Sequence, residues 1–114
     1  TLNTTPITIV AAQGVGTAIE VISASVKIDF NATAYATNID INVVASGATQ
    51  SQYQGNILEA TLSTNRKLTP TTGLIASDTQ IAENAALYVS VGTGDPTAGD
   101  SDITVYITYR IITL

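Results

Sequence analysis

The chain has 114 residues, of which 45% are hydrophobic and 11% are charged, and its net charge is −5. The charged share is less than half of the roughly 25% usual in globular proteins, and four basic residues are too few to neutralise a phosphate backbone, so no nucleic-acid partner is expected. Cysteine and histidine are absent, which removes thiolate catalysis, the commonest general base and the usual transition-metal ligands, so neither an enzyme nor a cofactor is expected.

The first part of the chain predicts two β-strands. Residues Pro6–Ala12 follow a period of two, and the proline suits the first residue of a strand or an edge strand. Ala18–Phe30 predicts the longest early strand, in which the apolar positions change parity between Val21 and Ile22. A β-bulge at that point would produce the change, and so would a strand that passes from one sheet to another.

The middle of the chain alternates between apolar runs and polar connections. Strands are predicted at Asn38–Ser46 and at Ile57–Thr64, and the second segment also has the length of a short helix. Turn-forming and charged residues predict connections at Asn31–Thr37, Gly47–Asn56 and Asn65–Gly73, the last as an exposed crossover.

The last thirty residues predict one long β-hairpin. Its arms are Ala85–Val91 and Asp102–Ile112, both with period-two alternation, and the intervening Gly92–Ser101 is rich in residues that form turns. The preceding segment, Leu74–Asn84, predicts one short strand and a turn. Seven or eight strands with turns between them indicate an all-β, single-domain antiparallel β-sandwich, jelly-roll-like, over residues 1–114.

The two faces of the predicted hairpin differ in chemistry. Leu87, Val89, Val91, Ile103, Val105, Ile107, Tyr109 and Ile111 form the predicted core face. In this register Tyr88 lies opposite Tyr106, and the terminal strand is expected in the middle of a sheet. The opposite face is a candidate interface between chains or an ordinary solvated surface; its proposed interface residues are Tyr88, Thr104, Tyr106, Thr108 and Arg110.

The turn-rich segment carries the best candidate for a metal site. Asp95, Asp100 and Asp102 lie in a glycine-bearing loop, and Ca²⁺ prefers carboxylate and carbonyl oxygens. Their spacing departs from an EF-hand, and Asp and Gly are also common in turns because they tolerate left-handed backbone. We favour the turn over a metal site. Tyr35 and Tyr53, in polar segments, predict either sugar-stacking rings or anchors that pack on the edge of the core.

Three segments carry a resemblance to a known family: Thr33–Asn38, the Gly94–Ser101 turn, and the run Val105–Ile112. Together they resemble small β-sandwich virion proteins of tailed bacteriophages, which serve as head-decoration, head-fibre or other appendage domains. The resemblance implies a structural role on the surface of a virus particle, often as a homotrimer. It transfers no catalytic residue.

The expected function is that of a non-enzymatic structural virion protein, in capsid decoration or in a fibre or appendage, whose partners are copies of itself and other virion proteins. The alternative is a carbohydrate-binding or adhesin module that recognises a cell-surface glycan, with or without Ca²⁺. No apolar run reaches the roughly 18 residues of a membrane helix, and no membrane partner is expected.

Overall fold

A computed structural model describes residues 2–46, 51–71, 82–92 and 94–114, and within them every regular element is a β-strand. The bounds of the seven strands are β1 Ile7–Val10, β2 Thr17–Asp29, β3 Asp40–Ala45, β4 Tyr53–Asn56, β5 Thr64–Pro70, β6 Leu87–Ser90 and β7 Asp102–Thr113. The all-β class and the antiparallel pairing are therefore confirmed. In these ranges there is no helix that could cross a membrane.

The strands form one curled sheet in the order β1-β6-β3-β4-β5-β2-β7. The strand β5 joins the two halves of this sheet, because its residues Thr64–Leu68 pair with β2 whereas Thr69 and Pro70 pair with β4. The halves β1-β6-β3-β4 and β5-β2-β7 thus contribute to a shared interior, an arrangement that is broadly consistent with the expected sandwich.

The core lies between the two halves. One cluster of apolar side chains joins strands of both halves with the segment that follows β4. Its most deeply buried members are Val26, Ile28, Ile41, Val43, Ile57, Leu58, Leu68 and Leu87. On β6, the predicted inward positions Leu87 and Val89 are buried, while Tyr88 is half-buried.

The predicted bulge in β2 is present. Val21 pairs with Tyr109 and Ser23 pairs with Thr108, which leaves Ile22 as one extra residue in β2. The bulge turns the apolar residues before it and those after it toward the same buried face. Ile22 itself is left 54% exposed. The parity change in the sequence therefore marks the bulge and leaves the core face of β2 continuous.

The predicted terminal hairpin is wrong. β6 pairs with β1 and β3, and β7 pairs with β2, so Tyr88 lies opposite Thr8 and Val44 instead of Tyr106. The prediction that the terminal strand lies in the middle of a sheet is also wrong, since β7 is an edge strand. Twelve residues of β7 match thirteen of β2, whereas the four residues of β6 would leave most backbone groups of β7 unpaired.

The inward face of β7 is confirmed over the first part of the strand. Ile103, Val105 and Ile107 are half-buried and pack against the core cluster. Tyr109 and Ile111 share this face but are 42% and 49% exposed. Both residues lie on the edge strand, and no further strand of the described ranges covers them.

The segment from residue 53 to residue 70 also differs from its prediction. Strands occupy Tyr53–Asn56 and Thr64–Pro70, where connections were predicted, and the predicted strand Ile57–Thr64 is mostly irregular chain. Ile57 and Leu58 are buried even so, because both backbone N–H groups donate to the Ile39 carbonyl, at 2.9 and 3.1 Å. A buried segment that is not extended can therefore show the same alternation of apolar and polar residues as a strand. The element predicted within Leu74–Asn84 lies outside the described residues except for its last positions.

Two leucines of this region give a test of the observed fold. Leu68 is fully buried beneath Gly55, whereas Leu62 is 75% exposed. Leu68→Ala should lower the free energy of unfolding by about 2–5 kcal/mol, because it removes buried methyl groups and leaves a cavity. The matched control Leu62→Ala should change it by less than about 0.5 kcal/mol. Urea unfolding measures both values; equal effects, or a larger effect at Leu62, would contradict the placement of β5.

Candidate functional site

The outward surface of the β2–β7 pair is the strongest candidate for a functional surface. We call it the outer face, and its residues lie in five cross-strand rows: Asp29–Asp102, Lys27–Thr104, Ser25–Tyr106, Ser23–Thr108 and Glu20–Arg110. Tyr106 is 55% exposed at the middle of the outer face. Hydroxyl side chains surround it, so the centre is flat, polar and uncharged.

Charge is confined to the two ends of the outer face. The Lys27 ammonium lies 2.9 Å from Asp29, and Arg110 Nε donates to the Glu20 carboxylate at 2.5 Å. The hydrogen bond and the charge of Asp29 raise the pKa of Lys27 above its ordinary value. Solvent screens exposed ion pairs of this kind, so they contribute little to the stability of the fold.

The five predicted interface residues are divided by the fold. Thr104, Tyr106, Thr108 and Arg110 are exposed together on β7, as expected from their alternation. Tyr88 belongs to the other half of the sheet, between β1 and β3. The separation follows from the pairing of β7 with β2, and it removes Tyr88 from the outer face.

The backbone of β7 adds a feature that sequence reasoning missed. The Leu114 N–H donates to the Gly16 carbonyl at 2.8 Å, next to the pair Thr17–Thr113. Because the direction of backbone groups alternates along a strand, the even-numbered residues of β7 face β2. The odd-numbered residues from Ile103 to Thr113 direct their N–H and C=O groups to what we call the open edge, where the described ranges place no strand.

The acidic residues of the turn-rich segment act as hydrogen-bond acceptors for other segments. The Asp95 carboxylate accepts the Asn3 N–H at 2.7 Å, the Thr4 N–H at 3.2 Å and the Thr4 hydroxyl at 2.9 Å. Asp100 contacts a different part of the chain, and Asp102 lies at the start of β7. Among the described residues no three acidic, histidine or cysteine side chains converge, so the Ca²⁺ candidates are not brought together.

The Asp100 carboxylate fixes the connection between β2 and β3. It accepts the Thr33 N–H at 2.9 Å, the Ala32 N–H at 3.1 Å and the Asn31 side-chain amide at 2.8 Å. These bonds favour the ionised form, first those from Thr33 and Ala32, and they lower the pKa of Asp100 below its ordinary value. A carboxylate that accepts several N–H groups has fewer lone pairs for a cation.

Tyr35 and Tyr53 are anchors of polar segments on the core edge. The Tyr35 hydroxyl donates to the Ser101 carbonyl at 2.6 Å, and the Tyr53 hydroxyl donates to the Ile22 carbonyl at 2.9 Å. Both rings pack against the core cluster. Gly99 lies so close to the Tyr35 ring that a Cβ atom there would overlap it, and one face of this ring is therefore covered by the chain itself.

No known protein family, curated protein or solved structure matches the chain. Function is therefore inferred from the geometry of the outer face and the open edge, together with the resemblance in its strand and turn segments.

The Asp100 network predicts a specific pH dependence of stability. A carboxyl whose pKa is lowered on folding stabilises the fold above its unfolded pKa of about 3.9 and loses this contribution as the pH falls through the folded pKa. Asp100→Asn should therefore melt below the wild type at pH 7, and the difference should shrink below about pH 4. Glu59→Gln, which makes the same change in charge at an exposed site, is the control. A constant difference from pH 7 to pH 3 would contradict this role.

Calcium should leave the protein unchanged. Because Asp95 and Asp100 accept hydrogen bonds from separate segments, no shared set of carboxylate oxygens is available to the ion. Thermal melts with millimolar Ca²⁺ and with chelator should coincide. If Ca²⁺ raised the melting temperature by several degrees and Asp100→Asn abolished that rise, the segment would be shown to bind calcium.

Proposed function

We propose that the protein is a non-enzymatic structural module that acts through contacts between its own copies. The observation that carries this proposal is the outer face, whose centre consists of Tyr106 and surrounding hydroxyl side chains with charge only at its ends. Interface cores are depleted in charged residues and enriched in tyrosine. The loss of water from such a surface costs less than from a charged one, because no ion must be desolvated.

The low charge of the whole chain supports the same proposal. Only 11% of residues are charged, so a large part of the surface can be covered by another chain without burying unpaired ions. Tyr106 is exposed at the centre of the outer face, and Tyr109 and Ile111 are exposed on the opposite face of the same edge strand. Tyrosine is one of the residue types that supply most of the binding free energy in an interface.

The place of such a module is proposed from the resemblance to phage virion proteins. On that basis the protein is a capsid-decoration, fibre or appendage part on the surface of a virus particle, with other virion proteins as further partners. The resemblance favours a homotrimer.

A carbohydrate-binding or adhesin module is the second candidate. It is favoured by an open depression of about 460 Å³ that residues 59–64 and Arg66 line, with one carboxylate and one guanidinium group. Of the described residues that line this depression none is aromatic, although sugar rings commonly stack on aromatic side chains. Tyr35 lies elsewhere, in an apolar pocket of about 250 Å³, which is smaller than the roughly 300–1,000 Å³ of usual ligand pockets.

Sedimentation velocity from about 1 to 100 µM separates the two candidates. The structural proposal predicts an oligomer without added ligand, since obligate interfaces bury more than about 2,000 Å² and persist on dilution to micromolar concentration. A monomer over the whole range would refute self-association. A monomer whose melting temperature rises on a glycan panel would favour the carbohydrate-binding module.

A further inference from the structure

We propose that two copies of the chain join edge to edge through β7, in an antiparallel pair that is centred on Tyr106. This inference rests on the self-association proposed above, and it names the surface and the register. The occupant of the open edge is a second copy of the same strand, and the sheet continues across the two chains.

The two edge strands, β1 and β7, differ in how well their sequences suit pairing with a further strand. β1 has only four residues, follows Pro6 and contains a register shift between Thr8 and Val10. Short length, proline and bulges are the usual devices that prevent edge-to-edge pairing. β7 has twelve residues, and between Asp102 and Arg110 it contains no charge, proline or glycine. The bulge of the β2–β7 pair lies in β2, so β7 is regular along its outer side.

The outward residues of β7 are complementary to themselves in reverse order. Their sequence at every second position is Asp102, Thr104, Tyr106, Thr108 and Arg110. In an antiparallel pair centred on Tyr106, the opposed residues are Asp102 with Arg110, Thr104 with Thr108, and Tyr106 with its own copy. Each of the two Asp–Arg pairs joins opposite charges, and each Thr pair joins hydroxyls, as stable cross-strand pairs do.

The backbone fits the same register. The odd-numbered residues of β7 carry the N–H and C=O groups of the open edge, and this register places odd residues opposite odd residues. Val105 faces Ile107 of the second copy, and Ile103 faces Tyr109, in hydrogen-bonded pairs. A shift by two residues keeps the backbone pairing but moves Asp102 opposite Thr108 or Ile112, so that its carboxylate loses the guanidinium group.

Within one copy, the residue directly opposite Asp102 is another carboxylate, so a nearby cation would stabilise Asp102. Asp102 lies directly opposite Asp29 on β2, and the described ion pair of Asp29 is with Lys27 at 2.9 Å. Like charges directly opposite each other destabilise a sheet. Arg110 contacts Glu20 through Nε, and its terminal N–H groups can reach a carboxylate of another chain. Neither of these two ion pairs of the described residues involves Asp102, and the second copy would supply a guanidinium group to it.

The contact has two-fold symmetry, and this limits the assembly. An isologous pair joins chains in twos, so the expected mass is that of a dimer or of an even multiple. This expectation departs from the homotrimer that the resemblance favours, and the sedimentation measurement distinguishes the two.

Disulfide trapping tests the register, because the natural chain contains no cysteine. Opposed residues of a non-hydrogen-bonded pair have Cα atoms about 4.5 Å apart, within the range of a disulfide. Tyr106→Cys should form a cross-linked dimer as its main species under mild oxidation. Thr104→Cys and Thr108→Cys should each remain uncross-linked alone and should cross-link when mixed. Ile7→Cys, on the exposed start of β1, is the control for the other edge.

The outcomes separate this inference from the proposed function. If the wild type is an oligomer but Tyr106→Cys stays uncross-linked, or if Ile7→Cys cross-links in its place, the β7 register is refuted and self-association stands. Equal cross-linking of all four single variants indicates random collision and also refutes the register. A monomeric wild type refutes both. Hydrogen exchange gives an independent check, since the amides of residues 103, 105, 107 and 109 should be protected in the dimer and should lose this protection in Tyr106→Lys.

Discussion

The extra residue in β2 decides which side chains form the core. Without the bulge at Ile22, the residues before it and after it would point to opposite faces, and half of the apolar positions of β2 would meet solvent. The bulge exposes the Ile22 carbonyl, and the Tyr53 hydroxyl donates to it at 2.9 Å. A second, longer contact at 3.4 Å joins the same hydroxyl to the Val21 carbonyl. Since Tyr53 belongs to β4, this hydroxyl connects the two halves of the sheet where the ladder of β2 is irregular.

Once the core face of β2 is continuous, β7 has a defined partner. Val105 lies beside Val26 and Ile103 lies beside Ile28, so the apolar side of β7 completes the core and its polar side joins the outer face. β7 thereby becomes the last strand of the sheet within the described ranges, and no described strand pairs with the backbone groups of its open edge. The same strand therefore closes the interior with its inward side chains and presents the proposed contact between copies along its open edge.

Two acidic residues of the turn-rich segment stabilise the fold through hydrogen bonds. Asp95 and Asp100 bind backbone N–H groups of the segments near Asn3 and Thr33, across more than sixty residues of sequence. These bonds fix the two polar segments to the turn-rich segment that precedes β7. A carboxylate is well suited to this task, because charge-assisted hydrogen bonds are stronger than neutral ones. The turn-rich segment before β7 is thus held at both ends, which sets the direction in which β7 begins.

The sequence by itself determined the all-β class and the positions of the long strands, because period-two alternation is a local property of the chain. Its interruption at Val21–Ile22 indicated either a bulge or a change of sheet, and the structure decided for the bulge. The sequence also determined that Thr104, Tyr106 and Thr108 point away from the core. It did not determine that β7 pairs with β2, that Leu68 is buried or that Tyr88 lies in the other half of the sheet. Alternation tells which face a residue occupies, but any strand of suitable length can satisfy the backbone of another. Only the tertiary structure, which matches the apolar faces of β2 and β7 over their whole length, decided between the possible partners.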